Sequence, residues 1–173
     1  MEFNAYEITP ATLIGIGAAF ASSITAAAVL YRRGKLPLAR AVWAALAAAS
    51  GLAVLLITLS PGRHGGTYPC EFSGSPFEWL RGNQSTANVA MLVPVAVALP
   101  LATRSTRWHR WAFVALAALP VLIEATQAYV PLGRACDGMD VVDNWIGVAL
   151  GCLIGGAAAW ILSRRETPRD RKP

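Results

Sequence analysis

Five long apolar stretches, separated by short segments that hold nearly all the charge, account for most of the chain. They cover residues 9–31, 38–59, 87–103, 111–130 and 142–162. A helix needs roughly 20 apolar residues to cross a hydrocarbon core about 30 Å thick, so the pattern predicts five transmembrane helices. The third stretch is the shortest and contains Pro94 and Pro100; the fourth contains Pro120. Proline removes a backbone donor and kinks a helix, and packed neighbours accommodate the break. The expected fold is all-α: one integral membrane helical bundle over residues 1–163, followed by a basic tail at 164–173 expected to be disordered.

Charge adds direction. Arg32, Arg33, Lys35 and Arg40 follow the first stretch, and Arg104, Arg107 and Arg110 follow the third. Arg164, Arg165, Arg169, Arg171 and Lys172 follow the fifth. The alternate segments hold only Arg63, Arg81 and Arg134. Basic residues collect on the cytoplasmic side, which puts the N-terminus outside and the C-terminus in the cytoplasm. Residues 1–8 carry Glu2 and Glu7 but no Lys or Arg, unlike a secretory leader, so the first stretch is read as a retained helix. Trp79 and Trp145 fall near outer ends, and Trp43, Trp108, Trp111 and Trp160 near inner ends, as interfacial anchors do.

Composition narrows the class further. The chain is 55% hydrophobic and 14% charged, against about 45–50% and about 25% in soluble domains. That excludes an ordinary soluble fold and makes the lipid bilayer the expected partner. The net charge of +5 flanks the spans. It does not form a basic stripe with interleaved aromatics, so no nucleic-acid partner is expected.

With direction assigned, polar residues gather at the outer ends of three spans. Asn88 lies near the start of the third, and Glu124 and Gln127 near the end of the fourth. Glu124 and Gln127 are three apart and share a helix face. Glu124 precedes Val130 by six residues, which places it roughly 9 Å below that end and inside the apolar slab. The next loop and the start of the fifth span add Arg134, Asp137, Asp140, Asp143 and Asn144. Asp140, Asp143 and Asn144 can share one face and cap the helix start.

Ionisable groups in a membrane are costly and face partners or water. Two readings follow. In one, Arg134 pairs with Asp140 or Glu124 and locks the loop onto the bundle. In the other, Glu124, Arg134, Asp137 and Asp140 bind or catalyse, while Asn88, Gln127, Asp143 and Asn144 orient a ligand. Paired carboxylates can serve as general acid and base, and Glu124 is the best candidate for that work. No G-x-S-x-G nucleophile is present, and whether chemistry occurs stays open. No cofactor is evident. A divalent cation on the carboxylate oxygens has only weak support, because D-x-x-D-x-x-D is not an established cation loop. His64 and His109 lie apart from the cluster, which argues against an ordinary zinc site.

Two further patterns bear on packing. Cys70 and Cys136 fall in the two outer loops, where disulfides are permitted, and are candidates for a bridge. Gly147, Gly151 and Gly155 recur every four residues and allow two helix backbones to approach closely, either within the monomer or in a dimer.

Three separated elements resemble the VanZ-like family of bacterial membrane proteins. Asn88-Val-Ala-Met-Leu-Val-Pro94 is similar to its Asn-to-Pro element, and Ile123-Glu124-Ala-Thr-Gln127 to its Glu-x-x-Gln element. The run from Arg134 to Gly151, with Asp137, Asp140, Asn144 and Gly147, is similar to its Arg-Asp-Asp-Asn-Gly-Gly element. The resemblance covers about residues 85–156. Val95 and Ala96 follow Pro94 where the family has x-Gly, Met139 stands where a paired Asp is common, and Asp143 replaces an apolar residue. The family is named for an association with resistance to the glycopeptide teicoplanin. The resemblance implies a role in the cell envelope, at the bacterial plasma membrane. Its outward-facing site would act on or bind a lipid-linked cell-wall precursor, a lipid head group or the drug. Two other classes compete: a structural or interaction protein whose cluster only stabilises the bundle, and a small transporter. Transporters place sites at the midplane between repeats, and no repeat is visible here.

Overall fold

In a computed structural model, residues 37–61, 70–72, 83–103, 107–133 and 136–165 are described, together with individual positions between 14 and 34. Helix α1 is represented by those positions up to 32. Helix α2 is Leu38–Leu59, α3 Asn83–Thr103, α4 His109–Tyr129 and α5 Gly138–Arg165. Four helices among the described residues are long and apolar enough to cross a membrane. The 22 residues of α2 reach about 33 Å at 1.5 Å per residue.

Helix starts differ from expectation in a consistent way. α3 begins at Asn83 and α5 at Gly138, each four residues before the predicted span. Polar residues can serve the free amides of a helix's first turn, so these turns need no apolar residues. Hydropathy marks the slab, not the helix. α5 also continues through Arg165, past the expected start of the tail.

α3 is central and packs against α2, α4 and α5. Its Leu92, Val95 and Ala96 are buried with Val54 of α2 and with Leu116 and Ile123 of α4. The outward faces leave Leu52, Val114, Leu122, Leu153 and Ile161 exposed, a surface suited to lipid tails.

α3 and α5 share one register and run in the same direction. The Ser85 hydroxyl meets the Asp143 carboxylate. A Cβ placed on Gly147, Gly151 or Gly155 would meet the carbonyl oxygen of Val89, Val93 or Val97 at 2.1, 2.7 and 2.8 Å. Each step is four residues on both helices, so the glycines let the α5 backbone lie directly on α3. This stripe is buried within one chain. Of the two expected alternatives, the structure shows the packing within the chain, with all three glycines against α3.

Two cross-links tie α4 into the bundle. Gln127 Nε2 donates to the Thr58 carbonyl at 2.9 Å, filling one of the carbonyls that the end of α2 leaves open. The Trp145 indole N–H donates to the Ala117 carbonyl at 2.9 Å. Ala117 is next to Leu116, whose carbonyl loses its helical donor at Pro120. Trp145, expected only as an anchor, therefore also joins α5 to α4. Trp145→Phe keeps a ring but removes this bond. It should lower stability by about 0.5–1.5 kcal/mol, seen as a reduced thermal midpoint in detergent.

Candidate polar site at one end of the bundle

Counting along each helix puts several buried polar residues at one level. Asn88 is five residues into α3, Asp143 and Asn144 five and six into α5, and Glu124 five before the end of α4. At 1.5 Å per residue each lies about 7.5–9 Å from its helix end. All four are buried, with Glu124 at 5% exposure and Asn144 at 1%.

Glu124 lies on the buried stripe of α4 with Leu116, Pro120, Ile123 and Gln127. Its Oε2 accepts the Asp137 N–H at 3.1 Å. Asp137 Oδ1 accepts the Met139 N–H at 2.9 Å, so Asp137 caps α5 in the usual N-cap manner. That corrects the expected cap. The helix starts at Gly138, and Asp143 and Asn144 lie more than a turn inside it. Asp140 remains in the first turn, and the Asp140 and Asp137 carboxylates are within electrostatic reach of Glu124.

The loops hold this end together. Gly133 takes φ +67°, a conformation glycine adopts without steric cost, in the turn leading to Cys136. Cys136 is disulfide-bonded to Cys70, with Cα atoms 4.5 Å apart. Beside the bond, Glu71 and Asp137 form an isolated parallel bridge. The Glu71 N–H donates to the Cys136 carbonyl at 3.2 Å, and the Gly138 N–H to the Glu71 carbonyl at 2.8 Å. The Phe72 ring lies over Gly138, where a Cβ would come within 2.2 Å of it. The disulfide and the bridge together aim the Asp137 N–H at Glu124.

The bond joins cysteines 66 positions apart. Loop-closure entropy for a free chain gives about 4 kcal/mol; in a bilayer the inserted helices already confine the ends, and the contribution is smaller. Cys70→Ser and Cys136→Ser should therefore lower the thermal midpoint equally. The double variant should fall no further, since either change removes the one link. An additive double variant would show that the two thiol positions act separately.

The expected residues divide among different partners. Glu124, Asp137 and Asp140 come together where α4 meets the start of α5. Asp143 instead meets Ser85 on α3. Gln127 shares the stripe of Glu124 but reaches to α2. Asn88 is buried in the same layer, and Asn144 Oδ1 has no hydrogen-bond partner among the described residues. Arg134, Arg81 and Trp79 lie outside the described residues. Ser85 and Glu71 were not anticipated. Ser85 sits in the polar run Asn83-Gln84-Ser85-Thr86, which hydropathy assigns to a loop. Glu71 acts through its backbone, and its one sequence signal is its neighbour Cys70. No group of three His, Cys, Asp or Glu side chains is placed to hold a metal ion among the described residues. Chemically the layer is rich in acceptors: it can take hydrogen bonds from cationic or hydroxyl groups.

Membrane-length helices with a buried, acid-rich polar layer at one end define a polytopic helical membrane protein. A family model described as VanZ/LLP1 matches residues 47–159, and the chain belongs to that family. The match begins within α2, well before the motif elements near 85. No curated protein and no solved structure shows significant similarity to the chain.

Proposed function

We propose that this protein works in the bacterial cell envelope, through a polar site on the extracytoplasmic side of the plasma membrane. The site binds or acts on the polar part of a lipid-linked cell-wall precursor, a lipid head group or a glycopeptide drug. In this reading Glu124, Arg134, Asp137 and Asp140 contact the ligand, and Asn88, Asp143 and Asn144 orient it. The observation that carries it is the convergence of Asn88, Glu124, Asp143 and Asn144, all buried, from three helices at one end of an otherwise apolar bundle. Such groups are expensive in a membrane unless they meet partners. The Lys/Arg asymmetry supports that end as the outer one. A disulfide there suits an oxidising compartment. Membership of the VanZ/LLP1 family supports the envelope role, and protection from teicoplanin-type glycopeptides is the specific form proposed.

The test compares a deletion strain with strains restored by wild type or by Glu124→Gln, scoring glycopeptide susceptibility and membrane abundance together. Restored resistance with wild type, and normal abundance without resistance for the variant, is the expected result. Unchanged susceptibility in the deletion strain would sink the resistance reading. A second reading, in which the layer is structural, draws support from the Glu124–Asp137 and Ser85–Asp143 bonds. It predicts that the same variant mainly loses abundance.

A further inference from the structure

The carbonyl of Cys136 and the N–H of Asp137 belong to one peptide unit, and each is engaged by a different part of the chain. The carbonyl accepts the Glu71 N–H at 3.2 Å, and the N–H donates to Glu124 Oε2 at 3.1 Å. A trans peptide is planar, with its C=O and N–H pointing opposite ways, so whatever turns one end turns the other. Resting on the reading of Glu124 as the working carboxylate, we propose that the Cys70–Cys136 bond is a redox latch on it. Oxidised, the bond holds this peptide plane against Glu124. Reduced by an extracytoplasmic dithiol, it releases the plane, and Glu124 loses its fixed donor.

The covalent bond is what keeps Glu71 in place. Residues 70–72, between α2 and α3, are all exposed. Two backbone hydrogen bonds join them to residues 136–138, one from the Glu71 N–H and one to the Glu71 carbonyl. The Phe72 ring lies over Gly138 but is 81% exposed, so its contact removes little apolar surface from water. Two exposed hydrogen bonds contribute less than ordering three residues costs, and without the disulfide the segment lets go. Asp137 is held differently on its other side, where its own Oδ1 accepts the Met139 N–H at 2.9 Å. That cap survives reduction, so the start of α5 stays while the plane before it turns freely.

The two sulfurs are unequally placed for exchange: Cys70 is exposed and Cys136 is 4% exposed. A thiolate arriving from water attacks Cys70 Sγ, and the S–S electron pair leaves on Cys136 Sγ, which takes a proton. The second thiol of the reductant then displaces Cys70 and closes a new disulfide. Two electrons and two protons pass from the dithiol to the cysteines.

Amide hydrogen exchange tests the latch on the purified full-length chain in lipid nanodiscs, before and after dithiothreitol. Rates are read residue by residue, and the freed Cys70 and Cys136 thiols are counted by maleimide labelling. The Asp137 and Gly138 amides should exchange about tenfold faster after reduction, each having lost one hydrogen bond. The Met139 amide, whose acceptor is the Asp137 side chain, should keep its rate, as should Gly147, Gly151 and Gly155 deeper in α5. Cys70→Ser should show the reduced rates and ignore the reagent; if it does not fold, reduction of wild type decides alone. Unchanged exchange at Asp137 with both thiols free overturns the inference. So does a rise that extends through α5, which makes the bond a brace of the whole bundle, and so does a disulfide that dithiothreitol does not reduce in the folded protein. In the deletion strain, at matched membrane abundance, Cys70→Ser should fail to complement, as Glu124→Gln does. Complementation by Cys70→Ser alone overturns the latch and leaves the site standing. Complementation by both variants overturns the reading of the site, and the inference falls with it.

Discussion

Replacing Gly147 with alanine is expected to open the seam between α3 and α5. The added Cβ would sit 2.1 Å from the Val89 carbonyl oxygen, 3.0 Å from its carbon and 3.3 Å from its Cα. These are backbone atoms, so no rotamer change relieves the clash, and one helix must move away. Gly151 and Gly155 lie on the same seam, as does the Ser85–Asp143 pair, so the displacement spreads along it. Overpacking costs about 1–3 kcal/mol, occasionally more, and a clash against backbone belongs at or above the upper end. In lipid no hydrophobic force draws the helices back together. Thermal unfolding in detergent and abundance in membranes should both fall sharply. Gly156→Ala is the matched control, because its Cβ meets nothing within 4 Å. Equal behaviour of the two variants would show that α3 and α5 do not pack through the glycine stripe.

Glu124 should separate function from folding when two substitutions are compared. Glutamine keeps an oxygen that can accept the Asp137 N–H while losing the charge. Its abundance should stay near wild type. A charged hydrogen bond contributes about 1.5–3 kcal/mol, so its loss should weaken ligand binding by about ten- to a hundredfold and abolish complementation. Alanine removes the acceptor altogether. The Asp137 N–H then has no Glu124 oxygen to meet, at a cost of about 1–3 kcal/mol, and a cavity opens on the buried stripe. Abundance and function should fall together. If glutamine is as damaging to abundance as alanine, the carboxylate is serving the fold, and the structural reading is the better one.

Much of this was legible along the chain, for a definable reason. Membrane-length apolarity is a local property, and α2 runs from Leu38 to Leu59 as its hydropathy predicts. The level of Glu124 follows from counting, because α4 ends at Tyr129, within one residue of its expected end, and the rise per residue is constant. Family motifs also sit in the sequence itself, and the matched region includes all of them.

What only the tertiary structure decided is rotation and partnership. Gln127 and Glu124 share a face, yet one reaches Thr58 on α2 and the other the Asp137 amide. Their spacing is the same whichever neighbour stands opposite. Gly147, Gly151 and Gly155 signal close approach but not to what; the answer, α3 of the same chain, depends on how the helices are arranged around it. The true starts of α3 and α5 were hidden because a first turn in water needs hydrogen-bonding side chains, not apolar ones. Sequence alone determined which segments are long and apolar enough to cross a bilayer, because transfer acts one residue at a time. Pairing among their polar groups waits on packing, because it is set by contacts between residues far apart in the chain.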